Sequence, residues 1–157
     1  MRRYIKIGMF VALLLILFVA GMAIAQSAKT SELDVRFPVA TQWLKQNNLS
    51  ITTSPDHAIS DGYILVAGEA FPPLTARTKG QKQLMAQRIA TFVATRQLAK
   101  MVKKVIVMGG KNEGFAEEAV KEAVKEAKVV YKDYNEQEET ALVLMKIELF
   151  LIRGLDR

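Results

Sequence analysis

The sequence predicts an α+β fold: a two-layer sandwich in which an antiparallel or mixed sheet of three to four strands carries two helices packed on one face. Two periodic patterns of apolar residues predict this fold. Between residues 81 and 104, apolar side chains recur every three or four positions, as in a helix buried on one side. Between residues 140 and 152 they fill alternate positions, as in a strand. No segment of twenty to fifty residues repeats, so a solenoid is excluded.

The first 25 residues predict export from the cytoplasm. A basic start precedes a continuous apolar run at residues 7–20, which is the pattern of a secretory signal. The small-residue cleavage pattern follows it, formed by Ala23 and Ala25 with Gln26 as the next residue. The alternative is an uncleaved anchor, because residues 7–28 carry no charge and are long enough to cross a bilayer. Both alternatives place the domain outside the cytoplasm, since the basic residues stay inside.

Composition narrows the class of protein further. The chain has no cysteine, so packing must stabilise the domain without disulfides. Gln26 also stands where a bacterial lipoprotein would carry its lipidated cysteine. Three of the 22 basic residues lie in the leader, and the remaining 19 face 16 acidic ones, a net charge of +3. This small, dispersed charge predicts no nucleic-acid partner.

The chain is predicted to have three parts: a signal peptide or uncleaved anchor at 1–25, an N-terminal segment at 26–60 and an α+β domain at 61–157. In the second part, Pro38 to Gln46 is predicted to form a short helix, because proline suits the first turn and apolar residues lie on one side. Trp43 is expected to pack on the main domain. Residues 50–61 have the composition of a loop.

The main domain begins with a strand and a long helix. Tyr63 to Ala70 is predicted to be a strand, and Gly68 within it indicates a bulge or a close backbone approach. In the helix at 81–104, alanines at every fourth position allow its axis to approach a sheet closely. Residues 105–108 are predicted either to end this helix or to start a short strand.

The second half of the domain contains a helix and two strands. Asn112 is predicted to cap a helix at 113–127. Strands at 129–134 and 140–152 are predicted to form an antiparallel hairpin. One face of the last strand is entirely apolar. The other face mixes apolar and charged residues and is the predicted partner face: Leu142, Leu144, Lys146, Glu148 and Phe150. We expect the segment at 26–60, or a partner, to cover part of it.

The main domain resembles the bacterial twenty-kilodalton lipoprotein family, and the N-terminal domain of the flagellar assembly protein T is similar to that family. The resemblance rests on Val66 to Ala70, on the alanine-rich helix, on the stretch KVVYKDY and on the final strand ALVLMKIEL. It implies a role related to the cell envelope and the flagellum, and no catalysis. Because Gln26 replaces the lipidated cysteine, the chain would be a non-lipidated member. The matching positions are packing positions, so no functional residue is carried over.

No pattern of residues predicts catalysis, a cofactor or a metal site. His57 is the single histidine and lies beside Asp56, with Ser54 and Ser60 nearby. Adjacency in sequence does not make a catalytic triad, whose members come from separate elements. One histidine without cysteine also makes a zinc site improbable.

Three functions therefore compete. The first is an exported, non-catalytic envelope protein that is periplasmic or secreted and binds an envelope or flagellar protein or a second copy of itself. The second is a small periplasmic enzyme or ligand-binding protein centred on the loop around His57. The third is a domain anchored in the inner membrane that oligomerises through the apolar segment at 7–28; only an uncleaved leader of this kind would bring the chain into contact with a membrane.

Overall fold

A computed structural model describes residues 33–152, 154 and 155 of the 157-residue chain. The predicted leader and its cleavage residues Ala23, Ala25 and Gln26 lie outside the described residues. The chain divides into two units, residues 1–38 and 39–157. In the first unit residues 33–36 are helical, and the Phe37 N–H donates to the Leu33 carbonyl at 2.8 Å.

The second unit has a mixed α+β fold, as predicted, in which helices pack against one antiparallel sheet. Among residues 33–152, 154 and 155, no helix combines the length and apolarity required to span a membrane. In chain order the elements are α1 (Pro38–Gln46), α2 (Pro55–Asp61), β1 (Tyr63–Ala70), α3 (Lys79–Met108), α4 (Glu113–Glu126), β2 (Lys128–Asn135), β3 (Thr140–Glu148) and a 3-10 turn (Leu149–Leu151).

The sheet has three described strands in the order β1–β3–β2, and both pairs are antiparallel. The predicted hairpin of β2 and β3 is therefore confirmed. Its register shifts between Val129 and Tyr131, where β2 contains an irregularity. Because β3 lies between the other two strands, its side chains form the centre of both faces of the sheet.

The main core lies between α3 and one face of the sheet. The alternate residues of β3 from Ala141 to Ile147 point into this core, as predicted. Gly68 of β1 lies directly beneath α3: a Cβ atom added there would approach Ala90 and Ala94 more closely than 3.0 Å. The predicted close approach at Gly68 is thus confirmed, and it depends on small residues in both elements.

The helices begin and end at residues with clear capping signals. Thr78 and Gln81 form a reciprocal capping box at the start of α3. Val105 and Ile106 continue the buried side of α3, so residues 105–108 end this helix and do not form a strand. Asn112 caps α4, as predicted, by accepting a hydrogen bond from the Phe115 N–H at 2.8 Å.

Two predictions about local structure are wrong. Residues 55–61 form the helix α2, not a loop, because Ser54 caps it, Pro55 occupies its first turn and Gly62 ends it with φ +76°. The last strand ends at Glu148 and not at residue 152. There the Leu149 N–H donates to the Gly62 carbonyl at 2.9 Å, and the chain turns into the 3-10 segment.

The opposite face of the sheet is partly covered by residues that precede β1. Trp43 of α1 stacks on Tyr131 of β2, with ring centroids 5.1 Å apart. The packing of Trp43 on the main domain is therefore confirmed. Burial raises the pKa of the Tyr131 phenol, and the nearby Asp133 carboxylate raises it further. At the edge of β1, the Thr52 N–H donates to the Leu65 carbonyl, and the Leu65 N–H donates to Thr52 Oγ1.

Candidate functional site

Polar side chains from three neighbouring segments meet at the end of the sheet where β1 begins. One turn of α2 separates His57 from Asp61, so both lie on the same side of that helix. Ser50 Oγ donates to Asp61 Oδ2 at 2.9 Å and lies 3.1 Å from His57 Nε2. His57 Nε2 is in turn 3.1 Å from Asp61 Oδ2. We call the group Ser50, Thr53, His57, Asp61 and Tyr63 the His57 cluster.

Both ring nitrogens of His57 make contacts within the cluster. The Thr53 N–H donates to His57 Nδ1 at 3.4 Å, and Thr53 Oγ1 lies 3.3 Å from the same nitrogen. Asp61 Oδ2 and Ser50 Oγ each lie 3.1 Å from Nε2. These contacts hold the preceding loop against α2.

This geometry differs from that of a catalytic triad. In a triad the nucleophile and the carboxylate contact opposite nitrogens of the histidine. In the His57 cluster both Ser50 and Asp61 approach Nε2, and the serine hydroxyl donates to the carboxylate. The arrangement considered from the sequence does not assemble either. Ser54 caps α2, and among the described contacts neither Asp56 nor Ser60 bonds to the His57 ring.

Tyr63 connects the His57 cluster to the predicted partner face. Its hydroxyl accepts a hydrogen bond from the Ser50 N–H at 3.0 Å. Its ring lies under the Lys146 ammonium, which is 4.6 Å from the ring centroid. Lys146 also pairs with Glu148 at 2.7 Å. The structure thus joins two candidate sites that are separate in the sequence.

The residues of the predicted partner face differ sharply in exposure. Leu142 and Leu144 are completely buried, so these two side chains cannot touch a partner while the domain is folded. Lys146 and Glu148 have side chains that are 21% and 39% exposed. Phe150 is 76% exposed and lies on the 3-10 turn beyond the strand. The accessible part of this face is therefore small, and we call Tyr63, Lys146, Glu148 and Phe150 the β3-end surface.

Sequence reasoning missed four members of this region: Ser50, Thr53, Asp61 and Tyr63. The signals for α2 were present, since a serine–proline pair begins it and a glycine follows its end. Recognising that helix would have placed positions 57 and 61 one turn apart. The contact with Ser50 joins residues seven positions or more apart in the chain, and no local pattern indicates it.

A second group of charges lies where α3 begins, beside the turn between β2 and β3. Lys79 pairs with Glu136 at 2.7 Å, and Lys82 pairs with Glu139. The hydrogen bond from Lys82 to Glu139 raises the pKa of that lysine. These ion pairs join the helix to the hairpin and largely neutralise each other. Among residues 33–152, 154 and 155, no group of three potential ligands is arranged to hold a metal ion.

Comparison of the chain with protein-family models, with curated proteins and with solved structures finds no match in any of the three. The resemblance to the twenty-kilodalton lipoprotein family therefore stays a prediction.

Proposed function

We propose that this chain is an exported protein of the bacterial cell envelope that acts by binding another protein through the β3-end surface. The observation that carries the proposal is the exposure of Phe150 two residues beyond Glu148, which pairs with Lys146 at the end of β3. Exposed aromatic side chains supply much of the binding energy of protein interfaces. Charged residues around such an anchor select the partner and orient it.

The backbone around Phe150 supports this proposal because it is held on both sides. The Leu149 N–H bonds to the Gly62 carbonyl at 2.9 Å, and the Ile152 N–H bonds to the Leu149 carbonyl at 3.0 Å. Ile152 itself is completely buried in the main core. A ring presented on a turn fixed in this way loses little conformational freedom on binding, which favours affinity.

Photo-crosslinking tests the proposed interface. A benzophenone amino acid is placed at Phe150 in one variant and at Lys121, an exposed residue of α4, in a matched control. We expect a discrete covalent adduct with an envelope protein from position 150 and none from position 121. Charge reversal at Lys146 should reduce the yield of the adduct at 150. Equal adducts from both positions, or none from position 150, would contradict the proposal.

The location in the envelope is part of the proposal and has its own test. It rests on the leader at residues 1–25, and the possible link to the flagellum rests on the family resemblance alone. Cell fractionation followed by mass measurement of the chain distinguishes the alternatives. A measured mass that matches a chain starting at Gln26 supports a free periplasmic domain. A mass that matches a chain starting at Met1 supports the anchored form. Recovery of the chain in the cytoplasm would contradict both.

The His57 cluster favours a second candidate function, a ligand-binding protein or enzyme. The favouring observation is that His57, Asp61 and Tyr63 all lie within hydrogen-bonding distance of Ser50. Thermal unfolding with a panel of small polar ligands tests this candidate in the parent chain and in His57→Ala. A ligand that raises the melting temperature of the parent but not of the variant would support it. Equal shifts in both chains would exclude His57 from ligand binding.

A further inference from the structure

The long helix α3 has an outward side that none of the preceding interactions uses. Every fourth residue is buried toward the sheet, and this row consists of Ala86, Ala90, Ala94, Leu98, Val102 and Ile106. Residues two positions away in each turn point in the opposite direction. We call them the outer ridge of α3, and all six are exposed: Leu84, Arg88, Phe92, Arg96, Lys100 and Lys104.

The charge of α3 is entirely of one sign. The helix contains seven basic residues and no acidic residue in its 30 positions. The two at its start, Lys79 and Lys82, pair with glutamates of the hairpin turn. No carboxylate among residues 33–152, 154 and 155 forms an ion pair with any of the other five. The outer ridge therefore presents uncompensated positive charge to whatever faces it.

Large apolar side chains alternate with these cations along the first half of the ridge. Leu84 is 51% exposed and Phe92 is 62% exposed, and Met85 and Ile89 lie beside them with more than a third of their surface exposed. The helix α4 cannot cover this half. It is about 21 Å long against about 45 Å for α3, and its short connection runs from the far end of α3. Arg96 stays close to Phe92, 5.8 Å from its ring centroid.

We propose that the outer ridge of α3 lies on the surface of a bilayer that contains anionic phospholipid. Guanidinium groups bind phosphate oxygens of the headgroups in a bidentate manner. Between them, leucine and phenylalanine side chains bury apolar surface at the boundary of the acyl chains. A bilayer presents anionic and apolar layers together along the whole ridge, whereas an acidic peptide or a nucleic acid complements chiefly its charge. This surface is separate from the β3-end surface, so one domain can hold a protein partner and a membrane together.

The absence of cysteine in the chain permits a direct test. A single cysteine replaces Phe92 in the full chain and carries a nitroxide spin label. Phe92→Cys is compared with Phe150→Cys, since both positions hold an exposed phenylalanine. With phosphatidylglycerol vesicles we expect the label at 92, but not the label at 150, to become protected from a water-soluble relaxation agent. Because both variants carry the same N-terminal segment, insertion of that segment cannot by itself produce the difference.

Removal of two cations measures the electrostatic contribution. Each basic side chain near an anionic surface contributes about fivefold in binding, so Arg88→Gln with Arg96→Gln should raise the lipid concentration for half-protection about 25-fold. The matched control is Lys121→Gln with Lys125→Gln, which makes the same change of charge on α4. We expect the control to bind within about twofold of the parent. Raising the salt concentration to about 1 M should abolish protection at position 92.

Four outcomes would overturn the proposal. The label at 92 could stay accessible on phosphatidylglycerol vesicles, or phosphatidylcholine vesicles could protect it equally well. The two charge variants could weaken binding by the same factor, which would indicate a general effect of net charge. Binding of soluble polyglutamate without protection by vesicles would identify an acidic protein segment as the partner instead. Circular dichroism confirms that the arginine variants fold, as expected for exposed positions.

Discussion

Replacing Gly68 by alanine should destabilise the domain strongly, because α3 passes directly over this position of β1. The added methyl group would lie less than 3.0 Å from the Ala90 carbonyl oxygen, the Ala94 nitrogen and the Ala94 Cβ. Two of these atoms belong to the helix backbone and cannot rotate away. The helix must therefore move outward, or the strand must bend, to accommodate one carbon atom.

The size of the effect follows from how much packing this movement disturbs. Inserting extra atoms into a packed core costs about 1–3 kcal/mol, and a clash with backbone should reach the upper end of that range. An outward shift of about 0.5–1 Å also forfeits a quarter to a half of each van der Waals contact made across the gap. We expect Gly68→Ala to lower the free energy of unfolding by about 3 kcal/mol.

Urea unfolding followed by circular dichroism measures this change. With a slope of about 2 kcal/mol per molar urea, the midpoint should fall by about 1.5 M. The control is Gly80→Ala in the first turn of α3, where an added Cβ meets nothing within 4 Å. It should be neutral or stabilise the chain by up to about 1 kcal/mol, since alanine favours helix. If Gly68→Ala unfolds within about 0.5 kcal/mol of the parent, the close approach of helix and strand is refuted.

Three further perturbations test the local structure. Asn112→Ala removes the cap of α4 and should lower the free energy of unfolding by about 1 kcal/mol in the same urea assay, an effect absent in Asn112→Ser. Leu144→Ala should lower the free energy of unfolding by about 2–5 kcal/mol because the residue is buried, whereas Phe150→Ala should change it by less than about 0.5 kcal/mol. Equal losses in the two variants would mean that Phe150 belongs to the core. Since the hydrogen bond to Glu139 raises the pKa of Lys82 above 10.5, the stabilisation from that pair is present at neutral pH and is lost as the pH rises through the raised value. The melting-temperature difference between the parent and Lys82→Gln should therefore be small, because the pair is exposed, and should vanish in strong alkali; a difference that grows with pH would refute the assignment.

The predictions that succeeded depend on residues close together in the chain. Proline at the first turn and an apolar side sufficed for the bounds of α1, and a run of β-branched and apolar residues sufficed for β1. Asn112 caps α4 through a backbone N–H three residues away. In each case the stabilising contact lies within one turn or one strand, so the local sequence contains all the information required.

The predictions that failed mark two kinds of missing information. The helix α2 was missed because loop-like composition outweighed the capping signals at Ser54, Pro55 and Gly62, although these signals are local. The end of β3 at Glu148 is different in kind. The Leu149 N–H to Gly62 carbonyl bond is the last rung of the β1–β3 ladder, and Gly62, with φ +76°, turns the partner strand away beyond it. The alternation of side chains in the sequence continues past Glu148, so it predicts a longer strand.

The candidate site shows the same division. The alternation of side chains selected Lys146, Glu148 and Phe150, and the structure leaves all three at least partly accessible. The same alternation could not separate them from Leu142 and Leu144, because burial of a position on the second face depends on tertiary packing and not on its place in the alternation. Ser50 and Tyr63 likewise belong to the His57 cluster only through contacts between separate segments of the chain.

The amino-acid sequence by itself determined the α+β class, most element boundaries, and the leader pattern with Gln26 in place of a lipidated cysteine, and it reduced Gly68 to a bulge or a close backbone approach. These properties follow from periodicity, capping residues and the identity of single residues, all of which can be identified from the order of residues in the chain. Only the tertiary structure decided which apolar residues stay exposed, how His57 meets Ser50 and Asp61, and which four cations of α3 lie on its outer ridge without an ion pair to a described carboxylate. Those properties depend on which surfaces of distant elements come into contact, and burial and ion pairing are determined only when the chain is folded.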